Sequence, residues 1–140
     1  MNKKLWITFI VVFIVYFILD WLVNGVLLHS TYMAEEVAKI MRPEAEITSN
    51  MWIFVICDLF YTFFFTLIFS KGFENKGWME GVRFGFYVGL MVSLPMAYGT
   101  YGTMPIPYTL ALQWFLYGLV MNIVIGIVAA LLYKPKAAAA

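Results

Sequence analysis

The stretch that decides the fold is FIVYFILDWLVNGVLLHS, residues 13–30. It is an almost unbroken apolar run, with Asp20 inside it and Asn24 one helical turn later. A helix that crosses a membrane needs about 20 mostly apolar residues, and this run lies within a segment of that length. An acid inside such a helix is energetically costly, so Asp20 is a candidate functional residue from the start.

The composition of the whole chain supports a membrane protein. Of its 140 residues, 64% are hydrophobic and 12% are charged, whereas soluble domains have about 45–50% and about 25%. A soluble fold of this size has too little interior for so much apolar surface, so the excess is expected to face lipid. The net charge of +1 gives no general attraction to nucleic acid.

Four apolar runs have the length of a membrane span. They cover about residues 5–28, 51–70, 82–99 and 108–133. The first connection, residues 30–50, is expected to contain a short amphipathic helix that Pro43 ends. The sequence therefore predicts an all-α fold, a four-transmembrane-helix bundle that makes residues 1–140 a single integral membrane domain.

The distribution of basic residues predicts the orientation. Lys39 and Arg42 lie on one side of the predicted bundle, and the other side carries Lys3, Lys4, Lys71, Lys76, Arg83, Lys134 and Lys136. By the positive-inside rule, both termini are expected to be cytoplasmic. Aromatic belts are expected at the two interfaces, formed by Trp52, Tyr101 and Tyr108 outside and by Trp6, Trp78 and Tyr133 inside.

Two acids are predicted at nearly the same depth. Counted at 1.5 Å per residue, Asp20 lies about 22 Å up the first helix and Asp58 about 10 Å down the second, in the outer half of a core about 30 Å thick. No Lys or Arg is expected at that level. Each acid should therefore be protonated, hydrogen-bonded or holding a cation. The candidate ligand- or ion-binding residues at this level are Asp20, Asn24, Asp58, Tyr98 and Gln113.

Two interpretations of the aspartates remain open. The structural one is a pair of neutral or proton-sharing acids that joins the first helix to the second, with help from Tyr16, Tyr61 or Asn24. The functional one is a site for a proton, a cation or a polar ligand that enters from the outer face. On either interpretation, the two carboxyls are expected to approach each other.

Small residues recur every four positions along the third and fourth predicted helices. Such rows allow close packing of helix backbones in a membrane and form a glycine zipper. The bulky apolar residues elsewhere, including Phe65, are expected to face lipid. The predicted packing positions are Gly81, Gly85, Gly89, Ser93, Gly118, Asn122 and Gly126.

The chain has no sequence motif of an enzyme, a metal site or a cofactor site. It lacks a P-loop, a dinucleotide fingerprint, an HExxH motif and a nucleophile elbow. His29 is its only histidine, which is a poor basis for a metal or haem site. Cys57 is its only cysteine, and we expect a small buried hydrophobic side chain there. We therefore predict no catalytic activity, no metal and no cofactor.

The layout resembles that of a loose group of small bacterial four-helix membrane proteins of unknown function. The likeness rests on DWLVNGVLLHSTYM (residues 20–33), an acidic outer loop, GVRFGFYVGLMVSLPM (residues 81–96) and a final apolar helix. It implies the fold and a multi-pass location in the bacterial inner membrane, and it assigns no functional residue.

Two functions fit these features. The first is a non-catalytic accessory or scaffold subunit, in which the lipid bilayer is the surrounding partner and the chain assembles into a homo-oligomer or a larger membrane complex. The alternative is a small carrier or channel that binds a proton, a cation or a polar solute through Asp20 and Asp58.

Overall fold

The computed structural model describes residues 2–134, so Lys136 of the predicted basic side lies outside the described residues. Over this range the prediction of an all-α fold is confirmed, because the chain forms helices and no strand. A π-helical turn, Val23–Leu27, continues the first helix. The helices are α1 (Lys3–Leu22), α2 (His29–Met33), α3 (Glu35–Ala38), α4 (Glu44–Ser49), α5 (Met51–Lys71), α6 (Trp78–Thr103) and α7 (Tyr108–Leu132).

Three of these helices are long and apolar enough to cross a membrane. They are α1 with its π-helical continuation (Lys3–Leu27), α5 and α7. The predicted third span, residues 82–99, lies within α6, which has 26 residues and a length of about 39 Å. α6 is less apolar than the other three because of its row of glycines and because Glu80 and Arg83 lie in its first two turns.

α6 and α7 form the closest helix pair. They run antiparallel, with Gly81 against Gly126 and Gly85 against Asn122. A Cβ atom added to Gly81 would lie 2.8 Å from the Cβ of Ala130, which is too close for two carbon atoms. The absence of side chains at these positions therefore lets the two backbones touch.

The same interface continues toward the other end of α6. Leu119 and Asn122 of α7 pack over Gly89, and the Ser93 side chain lies against Gly118. Ala97 is buried one turn further along α6. All seven predicted packing positions thus lie between α6 and α7 within one chain.

α1 packs between α5 and α7, and aromatic rings fill the core at the end that carries the termini. The Phe84 ring of α6 lies 4.9 Å from that of Phe65 and 5.3 Å from that of Phe69. The expectation that Phe65 faces lipid was wrong, because its side chain is only 3% exposed in this cluster. Tyr133 is also buried, against Phe69 and Phe73.

The segment between α1 and α5 differs from the single helix that was expected. It forms three short helices, α2, α3 and α4, because the backbone is extended at Ala34 and again at Pro43. Val37 is buried against Ile106, Leu110 and Ala111 at the start of α7. The segment therefore folds back over the end of the α6–α7 pair that lies opposite the chain termini.

The first half of α5, residues 51–60, is largely exposed. Cys57 is exposed there, which corrects the expectation of a buried cysteine. Of the ten residues 51–60, only Asp58 is classed as buried. The most buried group in this part of the helix is thus a carboxylic acid, surrounded on its own helix by outward-facing apolar side chains.

Candidate functional site

The site is built around an irregular turn that follows Asp20. From Val23 to Leu27 the backbone is π-helical, and the amide of Leu28 donates to the carbonyl oxygen of Val23 at 2.8 Å. Turns of this kind insert an extra residue into a helix and are frequent at functional sites. Here the turn begins three residues after Asp20 and includes Asn24.

A chain of hydrogen bonds leads to Asp20. Trp114 Nε1 donates to the Tyr32 hydroxyl at 2.8 Å, and that hydroxyl donates to Asn24 Oδ1 at 2.6 Å. Asn24 Nδ2 then donates to Asp20 Oδ1 at 2.9 Å. Because an indole N–H can only donate, the direction of the chain is fixed and Asp20 is its final acceptor.

Tyr32 is the central link of this chain. It lies in α2, outside the apolar segment of α1, and is partly buried. Burial raises the pKa of Tyr32 to about 12, and the charge of Asp20 acts in the same direction. The hydroxyl therefore keeps its proton at physiological pH and continues to donate to Asn24.

Asp58 is the second acid of the site. Its side chain is buried, and its Oδ2 has no hydrogen-bond partner among residues 2–134. Asp58 lies on α5, which packs against α1, the helix of Asp20, and no ion pair within the described range involves either acid. A buried polar atom without a partner costs about 1–3 kcal/mol of folding free energy. A proton, a water molecule or an ion bound at this oxygen would therefore stabilise the folded protein.

One turn further into the bundle, polar and aromatic side chains join three helices. The rings of Tyr16 (α1) and Tyr61 (α5) have centroids 5.2 Å apart. The Tyr61 hydroxyl donates to Asn122 Oδ1 on α7, and Asn122 Nδ2 donates to the Gly118 carbonyl at 2.8 Å. Asn122 thus packs against α6 and also bonds to α5.

The other two candidate residues have different surroundings. The Tyr98 hydroxyl lies 3.3 Å from that of Tyr108, in an exposed aromatic group that includes Phe115. Gln113 Oε1 is buried and has no hydrogen-bond partner among the residues that the structure describes. Of the five predicted site residues, Asp20 and Asn24 are joined by a hydrogen bond, and Asp58 lies on α5, the helix that packs against α1. The approach of the two carboxyls stays a prediction.

Sequence reasoning missed Tyr32 and Trp114. Trp114 directly follows Gln113, and a partly buried indole N–H usually needs an acceptor. That rule makes Trp114 a candidate, but the acceptor lies 82 residues earlier in the chain. Only the fold reveals the partner, because Tyr32 reaches the site through the turn that follows the π-helical segment.

Within residues 2–134, no group of three or more His, Cys, Asp or Glu side chains could hold a metal ion. A proton needs only one carboxyl oxygen, and Asp58 Oδ2 is free to carry it.

Comparison with protein families, curated proteins and solved structures finds no match to this chain.

Proposed function

We propose that this protein is a small, non-catalytic membrane carrier that binds a proton between Asp20 and Asp58 in the outer half of the bilayer. The observation that carries the proposal is the buried Asp58 oxygen that lacks a hydrogen-bond partner among the described residues. Asp58 faces the helix of a second acid, because the rings of Tyr16 and Tyr61, each one turn from one of the two acids, are in contact. Two nearby carboxyls in a low dielectric do not both ionise at low cost, so one proton held between them relieves the repulsion.

The surroundings of Asp20 support this role. Asn24 holds one of its oxygens, and Asn24 is itself held by Tyr32. A carboxyl fixed in this way has one oxygen committed and the other available to exchange a proton. The π-helical turn next to it supports a functional interpretation, because such turns are rare and are frequently found at functional sites.

The proposal includes a membrane topology. We propose four spans with α6 as the third, since α6 runs beside α7 for most of its length, and both termini in the cytoplasm. The excess of Lys and Arg on the side of the termini supports this orientation. The resemblance to small bacterial membrane proteins supports a location in the cytoplasmic membrane.

Proton flux into proteoliposomes tests this function. Purified protein would be reconstituted with a pH-sensitive dye inside, and flux would be driven by a potassium diffusion potential. We expect wild-type vesicles to acidify faster than empty vesicles, and the double variant D20N/D58N to match empty vesicles. The matched control E44Q/E46Q removes two exposed carboxyls from α4 and should acidify like wild type.

A second candidate function is that of an accessory subunit. The specific observation in its favour is the outer half of α5, where Trp52 and Phe60 are 61% and 64% exposed. The glycine row gives it no support, because its small residues are used between α6 and α7 of the same chain. Native mass spectrometry from membranes tests this alternative. A stable complex that forms equally well with D20N/D58N, combined with no proton flux, would favour it.

A further inference from the structure

A shallow groove lies on the exposed face of α6, at the end of the bundle that carries the termini. Its volume is about 340 Å³, and the side chains that line it include Lys76, Met79, Arg83, Phe86 and Tyr87. A second groove of about 220 Å³ adjoins it and shares Arg83 and Tyr87. Lys76 and Arg83 thus form the basic part of the groove, and apolar side chains of α6 line the rest of it.

The basic side chains of the groove are exposed. Lys76 and Arg83 are 61% and 53% exposed, and both approach a single carboxylate, that of Glu74. The Arg83–Glu74 separation of 3.6 Å is that of an ion pair but is long for a hydrogen bond, so guanidinium N–H groups remain available. The hydrogen bond from Lys76 lowers the pKa of Glu74, so Glu74 is charged at neutral pH.

The second acid of the groove is already engaged. Glu80 is buried, and its two carboxylate oxygens accept hydrogen bonds from the amides of Glu74 at 2.6 Å and Lys76 at 2.9 Å. These bonds fix the turn that presents Lys76 and Glu74. The carboxylate of Glu80 therefore serves the fold, and the groups free to meet a ligand are the two cations and Glu74.

We propose that this groove binds an anionic phospholipid, with the headgroup phosphate at Lys76 and Arg83 and an acyl chain along Met79, Phe86 and Tyr87. Within the groove the charges of Lys76 and Arg83 are balanced by Glu74 and Glu80. Charge complementarity favours this occupant because the neighbouring Lys3, Lys4, Lys71 and Lys134 leave an excess of positive charge at this end of the bundle. The apolar part of the groove favours a lipid over a free anion, since Met79, Phe86 and Tyr87 are each more than 40% exposed toward the surroundings of α6.

Lipid retention measured by native mass spectrometry tests this proposal. Protein in neutral detergent would be titrated with phosphatidylglycerol or phosphatidylcholine. We expect wild type to retain phosphatidylglycerol preferentially, and each of K76Q and R83Q to weaken its binding about fivefold. K39Q/R42Q removes two exposed charges from the opposite end and should bind like wild type.

The E74Q variant is expected to change phosphatidylglycerol binding in the opposite direction. It removes the carboxylate that competes for both cations, so we expect tighter retention of phosphatidylglycerol. A merely structural role for these ion pairs predicts no gain in lipid binding. K76Q alters an exposed side chain in a loop and should fold normally, so its binding can be measured even if R83Q is unstable.

Three results would overturn the proposal. The first is equal retention of phosphatidylcholine and phosphatidylglycerol by wild type. The second is unchanged phosphatidylglycerol binding by K76Q. The third is a rise in melting temperature with inorganic phosphate alone that equals the rise with phosphatidylglycerol, which would assign the groove to a free anion.

Discussion

Nε1 of Trp114 lies 2.8 Å from the hydroxyl oxygen of Tyr32, and this contact ties α7 to the short helix that follows the first span. Through Asn24 the same chain of hydrogen bonds ends on Asp20. The position of a carboxyl in the first apolar helix thus depends on a residue outside the apolar segment. This link makes the segment between α1 and α5 a part of the acid site.

Removal of the Tyr32 hydroxyl should weaken both the fold and the site. Tyr32→Phe leaves Trp114 without its acceptor and Asn24 without its donor. At about 0.5–1.5 kcal/mol for each hydrogen bond, we expect a loss of about 1–3 kcal/mol in the free energy of unfolding. Denaturation in mixed micelles measures this loss. Tyr101→Phe is the control, since the Tyr101 hydroxyl makes no hydrogen bond with residues 2–134. Equal losses in the two variants would contradict the proposed chain of hydrogen bonds.

The contact between α6 and α7 predicts a sharp contrast between two glycines of the same helix. A Cβ atom at Gly85 would lie 2.7 Å from the Cα of Ile123, so Gly85→Ala must push two backbones apart. We expect a loss of about 1–3 kcal/mol in stability. A Cβ atom at Gly99 meets nothing within 4 Å, so Gly99→Ala should be neutral or stabilising by up to about 1 kcal/mol. Thermal melting in detergent distinguishes them, and similar melting temperatures would contradict the packing.

The turn between α5 and α6 depends on Glu80. In Glu80→Gln an amide replaces the carboxylate, so only one oxygen remains to accept from the two backbone N–H groups. We expect a loss of about 1–3 kcal/mol and faster proteolysis of residues 72–77. Glu36→Gln, at an exposed position, is the control variant, and the protease should cut it at the wild-type rate. A Glu80→Gln chain that is cut no faster would show that other contacts hold the turn.

Cysteine accessibility tests the proposed orientation. In a background with Cys57→Ser, a cysteine at position 41 should react with an impermeant thiol reagent added to intact cells. A cysteine at position 75 should react only after the cells are opened. The reverse pattern would contradict the positive-inside assignment of both termini.

Much of the fold follows from the sequence, because the membrane imposes strong rules on helix length and composition. The segments 5–28, 51–70 and 108–133 agree closely with the three helices that are long and apolar enough to span. The placement of Phe65 failed for a physical reason. Aromatic rings are as compatible with a core as with lipid, so hydrophobicity alone does not give the direction of a side chain.

The site was less predictable than the fold. The depths of Asp20 and Asp58 could be counted along two helices, but the π-helical turn and the return of Tyr32 could not. The break at Ala34 comes from backbone geometry that no strong signal in residues 30–42 announces. Tyr98 was grouped with the acids because the sequence gives the depth of a residue along a helix but not the direction of its side chain around the helix axis. In the structure the Tyr98 side chain points toward Tyr108 instead.

The most direct test of the acid pair uses the composition of the chain, in which Asp20 and Asp58 are the only two aspartates. Cell-free synthesis with aspartate carrying ¹³C in its side-chain carboxyl labels these two groups and no other. We predict that each ¹³C resonance shifts in two steps in lipid vesicles, and that the midpoints of the two steps are the same for both groups, as in coupled acids. Asp58→Asn should then move the titration of Asp20. Two independent titrations, with that of Asp20 unchanged in Asp58→Asn, would contradict a shared proton.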